Sequence, residues 1–167
     1  AIATVMLTGD NQRTAEAVAS RVGILHIAAG ILPKGKVDEV IALQQDGRKV
    51  AMVGDGINDA PAMAMADVGI AMGSGNDVAM ASAEITLMRP DLRLVPDAIE
   101  ISKATVRKIR QNLFWAFAYN FVALPLAMFG LLTPVIAGTA MAMSSVSVVT
   151  NALTLKRWRS TQPQMQI

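Results

Sequence analysis

Val53-Gly54-Asp55-Gly56-Ile57-Asn58-Asp59-Ala60-Pro61 decides how the rest of the chain is read. Lys49 to Val53 is a mainly apolar run that stops at Gly-Asp-Gly. Asp55 therefore falls at the carboxyl edge of a predicted strand, where open α/β sheets bind ligands. Gly54 and Gly56 allow a tight bend and a close approach of backbone to a bound group. Asp55 and Asp59 are hard oxygen donors of the kind Mg2+ takes alongside phosphate and water. The competing reading is an acidic turn followed by a helix cap, because Asp, Asn and Gly favour such loops for local reasons alone. On this stretch the two readings stand level, and the flanking sequence separates them.

Upstream, Val5 to Leu7 reads as a strand that runs into Thr8-Gly9-Asp10-Asn11. A helical stretch follows to Arg21, which Asp10 or Asn11 can cap at its start and Gly23 at its end. After a short apolar segment near Leu25 to Ala28, Pro33 opens a helix to about Asp46 with Val37, Val40, Ile41 and Ala42 as its stripe. Downstream come a short helix from Ala60 to Met65, a strand at Val68 to Ala71 and the turn Gly73-Ser74-Gly75-Asn76-Asp77. A short helix and a last strand, Ile85 to Leu87, complete the pattern.

Strands alternating with helices of this length predict a parallel sheet covered on both faces, a Rossmann-like α/β arrangement. The opening Ala-Ile-Ala-Thr-Val-Met-Leu reads as an interior strand, so residues 1–91 are expected to be the carboxyl-terminal part of a larger α/β domain. Thr8, Asp10, Lys36, Asp55 and Asp59 can then gather along one sheet edge. A hydroxyl, a cation and carboxylates for Mg2+ are what phosphoryl transfer needs, since its catalysis is mostly positioning and neutralisation of charge. Taken singly, helix capping accounts for Thr8 and a solvated surface cation for Lys36.

Composition divides the chain of 167 residues in two. Ala1 to Met88 holds six Lys/Arg against ten Asp/Glu, a net −4, whereas Arg89 to Ile167 holds nine against three, a net +6. From Asn112 to Leu155, 44 consecutive residues carry no Asp, Glu, Lys, Arg or His, enough for two bilayer crossings of roughly 20 residues each. The expected parts are a stalk helix at 92–111, transmembrane helices at 112–132 and 135–155 with Thr133-Pro134 between them, and a tail at 156–167. Along the stalk Val95, Ala98, Ile99, Ser102, Val106 and Ile109 recur at helical spacing, and Lys103, Arg107, Lys108 and Arg110 make the exposed face basic. Basic clusters at both outer ends of a hairpin with an uncharged turn put both ends, and the α/β domain, in the cytoplasm of a multi-pass membrane protein.

Within the spans, Tyr119 and Asn120 lie near mid-depth of the first, and Met141, Ser144 and Ser145 in the first half of the second. A thioether beside amide, hydroxyl and phenol oxygens, with no carboxylate or imidazole, suits a soft monovalent ion such as Cu(I). Helix packing explains the same residues and on chemistry alone is the stronger reading. The chain has no Cys, which excludes disulfides, thiolate metal sites and Cys nucleophiles within it. His26, the sole histidine, reads as structural, and no nucleic-acid partner is expected.

Met6-Leu7-Thr8-Gly9-Asp10-Asn11, Leu32-Pro33-x-x-Lys36 and Met52-Val53-Gly54-Asp55-Gly56-Ile57-Asn58-Asp59-Ala60-Pro61-Ala62, in that order and spacing, resemble the phosphorylation domain of P-type cation-transporting ATPases, within the haloacid dehalogenase superfamily. The resemblance implies that Thr8 and Gly9 with Asp10 form a phosphate-side loop and that Lys36 neutralises an aspartyl phosphate. It implies that Asp55 binds Mg2+, with Asn58 and Asp59 in support. Tyr119-Asn120 and Met141-x-x-Ser144-Ser145 resemble the last two membrane helices of the copper(I)-exporting subgroup, where Tyr119, Asn120, Met141 and Ser145 would contribute to the copper site.

The Asp-Lys-Thr-Gly-Thr motif of the family's phosphorylated aspartate, its Cys-Pro-Cys ligands and its nucleotide-binding domain do not occur in this sequence. ATP binding and the acceptor carboxylate would therefore come from the remainder of the ATPase. The alternatives are an inactive membrane-anchored remnant that acts as an interaction partner, and part of a pump for another heavy metal.

Overall fold

The computed structural model describes residues 2–73, 77–131 and 133–159. They fall into two compact units that divide between Asp91 and Leu92. In the first, strand β1 (Val5–Leu7) leads to helix α1 (Gln12–Val22), β2 (His26–Ala28), α2 (Pro33–Gln45), β3 (Ala51–Gly54) and α3 (Ala60–Met65). Strand β4 (Val68–Met72), helix α4 (Asp77–Ala81) and β5 (Ile85–Leu87) follow. Of the glycine-rich turn after β4, residues 74–76 lie outside the described residues.

Local chemistry sets these boundaries. Asn11, not Asp10, caps α1: its Oδ1 accepts from the Thr14 amide at 3.0 Å, and Gly23 ends the helix at a φ of 73° that only glycine adopts freely. Pro33 occupies the first turn of α2, where its missing amide costs nothing. The apolar core gathers Val40 of α2, Met52 of β3, Ala60, Ala62 and Met63 of α3 and Ala71 of β4, with Leu7 of β1 packed against it. β3 and β4 read as apolar runs because both lie in this core.

Every strand pairing among the described residues is parallel, as the alternating pattern predicts, but the ladder is divided. β1 pairs with β2 in one sheet, and β3, β4 and β5 lie in that order in a second. Among the described residues no ladder joins the two, although Leu7 shares the core of the second sheet.

In the second unit, residues 92–111 and the apolar stretch after them form one continuous helix, α5 (Leu94–Met128), rather than a separate stalk and span. Thr133 caps α6 (Pro134–Leu153) through its hydroxyl, and a 3-10 turn, Thr154–Arg157, extends it. Pro134–Arg157, 24 residues, is the one described helix long and apolar enough to cross a membrane. The apolar half of α5 carries Asn112, Tyr119, Asn120 and Pro125, which dilute its hydropathy. Lys108 leaves the expected basic face: its Nζ donates to Asn151 Oδ1 of α6 at 2.9 Å, and Asn151 Nδ2 donates to Asn112 Oδ1 at 2.7 Å. Val106 and Ile109 of the predicted stripe stay exposed within this unit.

At the amino ends of β3 and β4, far along the strands from Asp55, Asp67 accepts from Lys49 Nζ at 2.7 Å, the Val50 amide at 3.0 Å and Gln44 Nε2 at 3.2 Å. The Lys49 hydrogen bond, aided by those of Val50 and Gln44, lowers the Asp67 carboxyl to about 2, and Asp67 in turn raises Lys49. A carboxyl with a folded-state pKa below its ordinary 3.8 contributes stability above that value and loses it as pH falls towards about 2. The raised Lys49 contributes below its ordinary 10.5 and loses that contribution only above it. Replacement of Asp67 by Asn should flatten the pH dependence of unfolding between about 4 and about 2. Denaturant melts across that interval that leave the slope unchanged would show that this carboxylate does not tie the two strands.

Candidate functional site

The site is assembled at the carboxyl ends of β1 and β3. Thr8 follows β1 directly, and its Oγ1 accepts from the Asp10 amide at 3.1 Å, which folds Thr8-Gly9-Asp10 into a tight loop. The Asp10 carbonyl accepts from the Gly30 amide at 2.7 Å and the Thr8 carbonyl from the Ile31 amide at 3.1 Å. These two bonds fix the segment that opens α2, and one turn into α2 stands Lys36. Gly30 and Ile31 are the members of this network that the motif reading missed; their only signal is a glycine set before the apolar pair that leads to Pro33.

Lys36 Nζ reaches Asp59 Oδ1 at 2.6 Å, with both side chains more than four-fifths buried. Such a charge-assisted contact is short because both partners are ionised. The helix-cap alternative for Asp59 fails: the residue stands at the cap position of α3 in helical backbone geometry, yet its side chain makes no capping bond. It turns back toward β3 instead, and its carbonyl accepts from the Met63 amide at 2.9 Å, which fastens it to a fully buried core residue.

Gly54 makes that path possible. A Cβ at Gly54 would lie 2.5 Å from Asp59 Cβ, inside van der Waals contact, whereas one at Gly56 would meet its nearest neighbour only at 4.0 Å. Of the two glycines flanking Asp55, Gly54 is therefore the one the geometry requires. Asp55 and Asn58 are exposed beside the pair. No hydrogen bond joins Thr8, Gly9 or Asp10 directly to Lys36 or Asp59 among the described residues. The link runs through Gly30, Ile31 and α2. Among the described residues no three His, Cys, Asp or Glu side chains converge as a ready metal cage.

In the second unit the predicted membrane ligands do not meet. Tyr119 lines an open groove between α5 and α6 with Trp115, Met143, Ser147 and Thr150. Met141 and Ser145 lie on the opposite face of α6, Met141 being 72% exposed, and Asn120 is exposed on α5. Ser145 Oγ donates to the Met141 carbonyl at 3.1 Å and Asn120 Nδ2 to the Ala116 carbonyl at 2.9 Å. Each polar group is thus satisfied on its own helix, with acceptor lone pairs left over.

Comparison with known proteins places this geometry among relatives. Residues 1–67 match the haloacid dehalogenase-like hydrolase family. A copper-exporting P-type ATPase of Staphylococcus aureus (strain JH9) is 60% identical over 158 residues, 95% of this chain and 20% of that protein. A zinc-transporting PIB-type ATPase solved in its E2.Pi state superposes with a TM-score of 0.82 at 44% identity, covering 90% of this chain and 25% of the other. A second solved state of a zinc-transporting PIB-type ATPase gives 0.84 at 44% identity, over 92% and 25%. The chain thus spans about a fifth of the length of the curated relatives it matches.

The Lys36 to Asp59 pair yields a direct test. Gly54→Ala should displace Asp59, strand the Lys36 ammonium and destabilise the unit by on the order of 2 kcal/mol, whereas Gly56→Ala should change little. Urea unfolding of the two variants measures the difference, and equal midpoints would contradict the crowding argument.

Proposed function

We propose, from the premise that this chain belongs to the heavy-metal P-type ATPases, that it forms the phosphate-and-magnesium side of a copper(I)-exporting pump together with two of that pump's membrane helices. The observation that carries the catalytic half is the part-buried 2.6 Å pair of Lys36 and Asp59 beside exposed Asp55 at the end of β3. Lys36 is the cation that meets a phosphoryl group, and Asp59 holds it there. The Thr8 hydroxyl and the amides of Gly9 and Asp10 form the loop on the other side of that group.

The donor set fits Mg2+ in the way phosphoryl-transfer sites use it, with one or two carboxylates and the remaining positions left to phosphate and water. Asp55 is the direct ligand, because Asp59 Oδ1 is engaged by Lys36, and Asn58 supports the loop between them. Bound Mg2+ supplies charge neutralisation to the phosphoryl oxygens. ATP and the acceptor aspartate come from other parts of the pump. A strand between the open edges of β1 and β3, running parallel to both, would deliver that aspartate to the same carboxyl edge.

Copper(I) is the cargo and the bilayer the surroundings of the second unit, with its two outer ends cytoplasmic. The identity to copper-exporting relatives supports this, as does the charge-free polar set Tyr119, Asn120, Met141 and Ser145. Since Met141 and Ser145 face away from α5, further ligands come from helices of the remaining pump. Loss of the cation through Lys36→Ala in the whole pump should lower phosphoryl turnover by on the order of 100-fold with copper binding intact. Labelled ATP followed by acid quench measures this, and unchanged turnover would refute the role of Lys36. Copper-stimulated ATPase activity should fall with Met141→Ala and with Tyr119→Phe, and wild-type activity in both would remove those two residues from the copper path.

A further inference from the structure

Lys103, Arg107 and Arg110 of α5 fall at i, i+4 and i+7, on one face of the helix, and Phe114 continues that face at the next turn. Together with Ser102, Val106 and Trp115 they line an open groove of about 640 Å³. Lys108 points instead to α6, through Asn151, so the three remaining cations stand on the side of α5 away from the hairpin partner. No ion pair joins Lys103, Arg107 or Arg110 to a carboxylate among the described residues. Just below them begins the 44-residue uncharged run, and Phe114 and Trp115, 65% and 45% exposed, sit at that boundary in edge-to-face contact 5.6 Å apart.

We infer that this face of α5 is a binding site for an anionic phospholipid of the cytoplasmic leaflet, a claim that rests on the membrane reading of the second unit. Guanidinium groups hold a phosphodiester through paired hydrogen bonds, and the lysine adds a third cation without competing for the same geometry. Aromatic rings at headgroup depth then pack on the glycerol and upper acyl chain. A soluble phosphate would use the cations but leave the aromatic shelf without a purpose. The vertical order of three cations, two exposed rings and an uncharged helix matches the order of phosphate, glycerol and hydrocarbon in a single lipid. This charge and polarity match selects a lipid as the occupant.

The test uses the whole chain in nanodiscs with a Trp158→Phe change, which leaves Trp115 as the sole indole. Quenching of Trp115 by brominated phosphatidylglycerol is compared with quenching by brominated phosphatidylcholine at equal mole fraction. The anionic lipid should be preferred. Each basic side chain near an anionic surface strengthens attraction about fivefold, so Lys103→Gln with Arg107→Gln and Arg110→Gln should lower the preference by on the order of 100-fold. Lys156→Gln with Arg157→Gln and Arg159→Gln removes equal charge from the other arm of the hairpin, at the same end but off this face of α5, and should leave most of the preference in place. Equal losses in the two triple variants, or no preference in the parent, would overturn the site while leaving the membrane reading intact. A chain that enters neither kind of bilayer would overturn both.

Discussion

The contact between Lys36 and Asp59 ties together the two elements on which the candidate site of the first unit is built. It joins the first turn of α2 to the segment that follows β3, two elements separated by 23 residues, and it does so where both side chains are mostly withdrawn from water. A pair in that position gains from low dielectric but suffers desolvation, so its net stabilisation is small and its loss on one side is expensive. Its value is therefore positional. Lys36 cannot wander toward solvent, and Asp59 cannot revert to the local cap that its position in α3 invites. The rest of the site is arranged around that choice: Gly54 vacates the space Asp59 needs, Met63 anchors the helix behind it, and Gly30 and Ile31 bind the Thr8 loop to the start of α2.

Much of this was legible in the sequence, because the relevant signals are short-range. Pro33 and Gly23 act within a turn, and the apolar runs of β3 and β4 end where glycine or a carboxylate interrupts them. Helix α3 and strand β5 fall at the residues the pattern predicts, Ala60–Met65 and Ile85–Leu87. The choice between Asp10 and Asn11 as cap was open because either side chain can accept from a free amide of the first turn. The direction of the Asp59 side chain was open for a related reason: whether it caps its own helix or crosses to Lys36 depends on a contact 23 residues away, which no local pattern encodes.

The divided sheet marks where sequence periodicity gives out. Periodicity says that a segment is a strand buried on both faces, and says nothing about which strand lies beside it. β1 and β3 are each apolar, parallel to their partners and in reach of one core through Leu7, yet no ladder joins them among the described residues. An unpaired strand edge leaves a row of amides and carbonyls without partners, a liability that folded proteins normally cover. Both open edges adjoin the candidate site, and a strand pairing with either would extend the carboxyl edge on which Thr8 and Asp55 stand.

The helical unit was harder to read, since an uncharged run fixes neither helix ends nor faces. The stalk and the first apolar stretch are continuous because nothing between Leu94 and Met128 stops a helix; Pro125 lies in the last turn, where one lost hydrogen bond is tolerable. The faces were decided by Asn112 and Asn151, which with Lys108 are bonded across the pair of helices, and so turn Tyr119 into the groove. Met141 and Ser145 are then necessarily on the far side of α6. Each stands two residues from Met143, which lines the groove, and two residues at 3.6 per turn are roughly 200° of rotation. The side chains that resemble copper ligands therefore look outward from a hairpin whose inner polar groups are already paired. A metal site built from them would have to be closed by other helices, packed on that same outward face of α6.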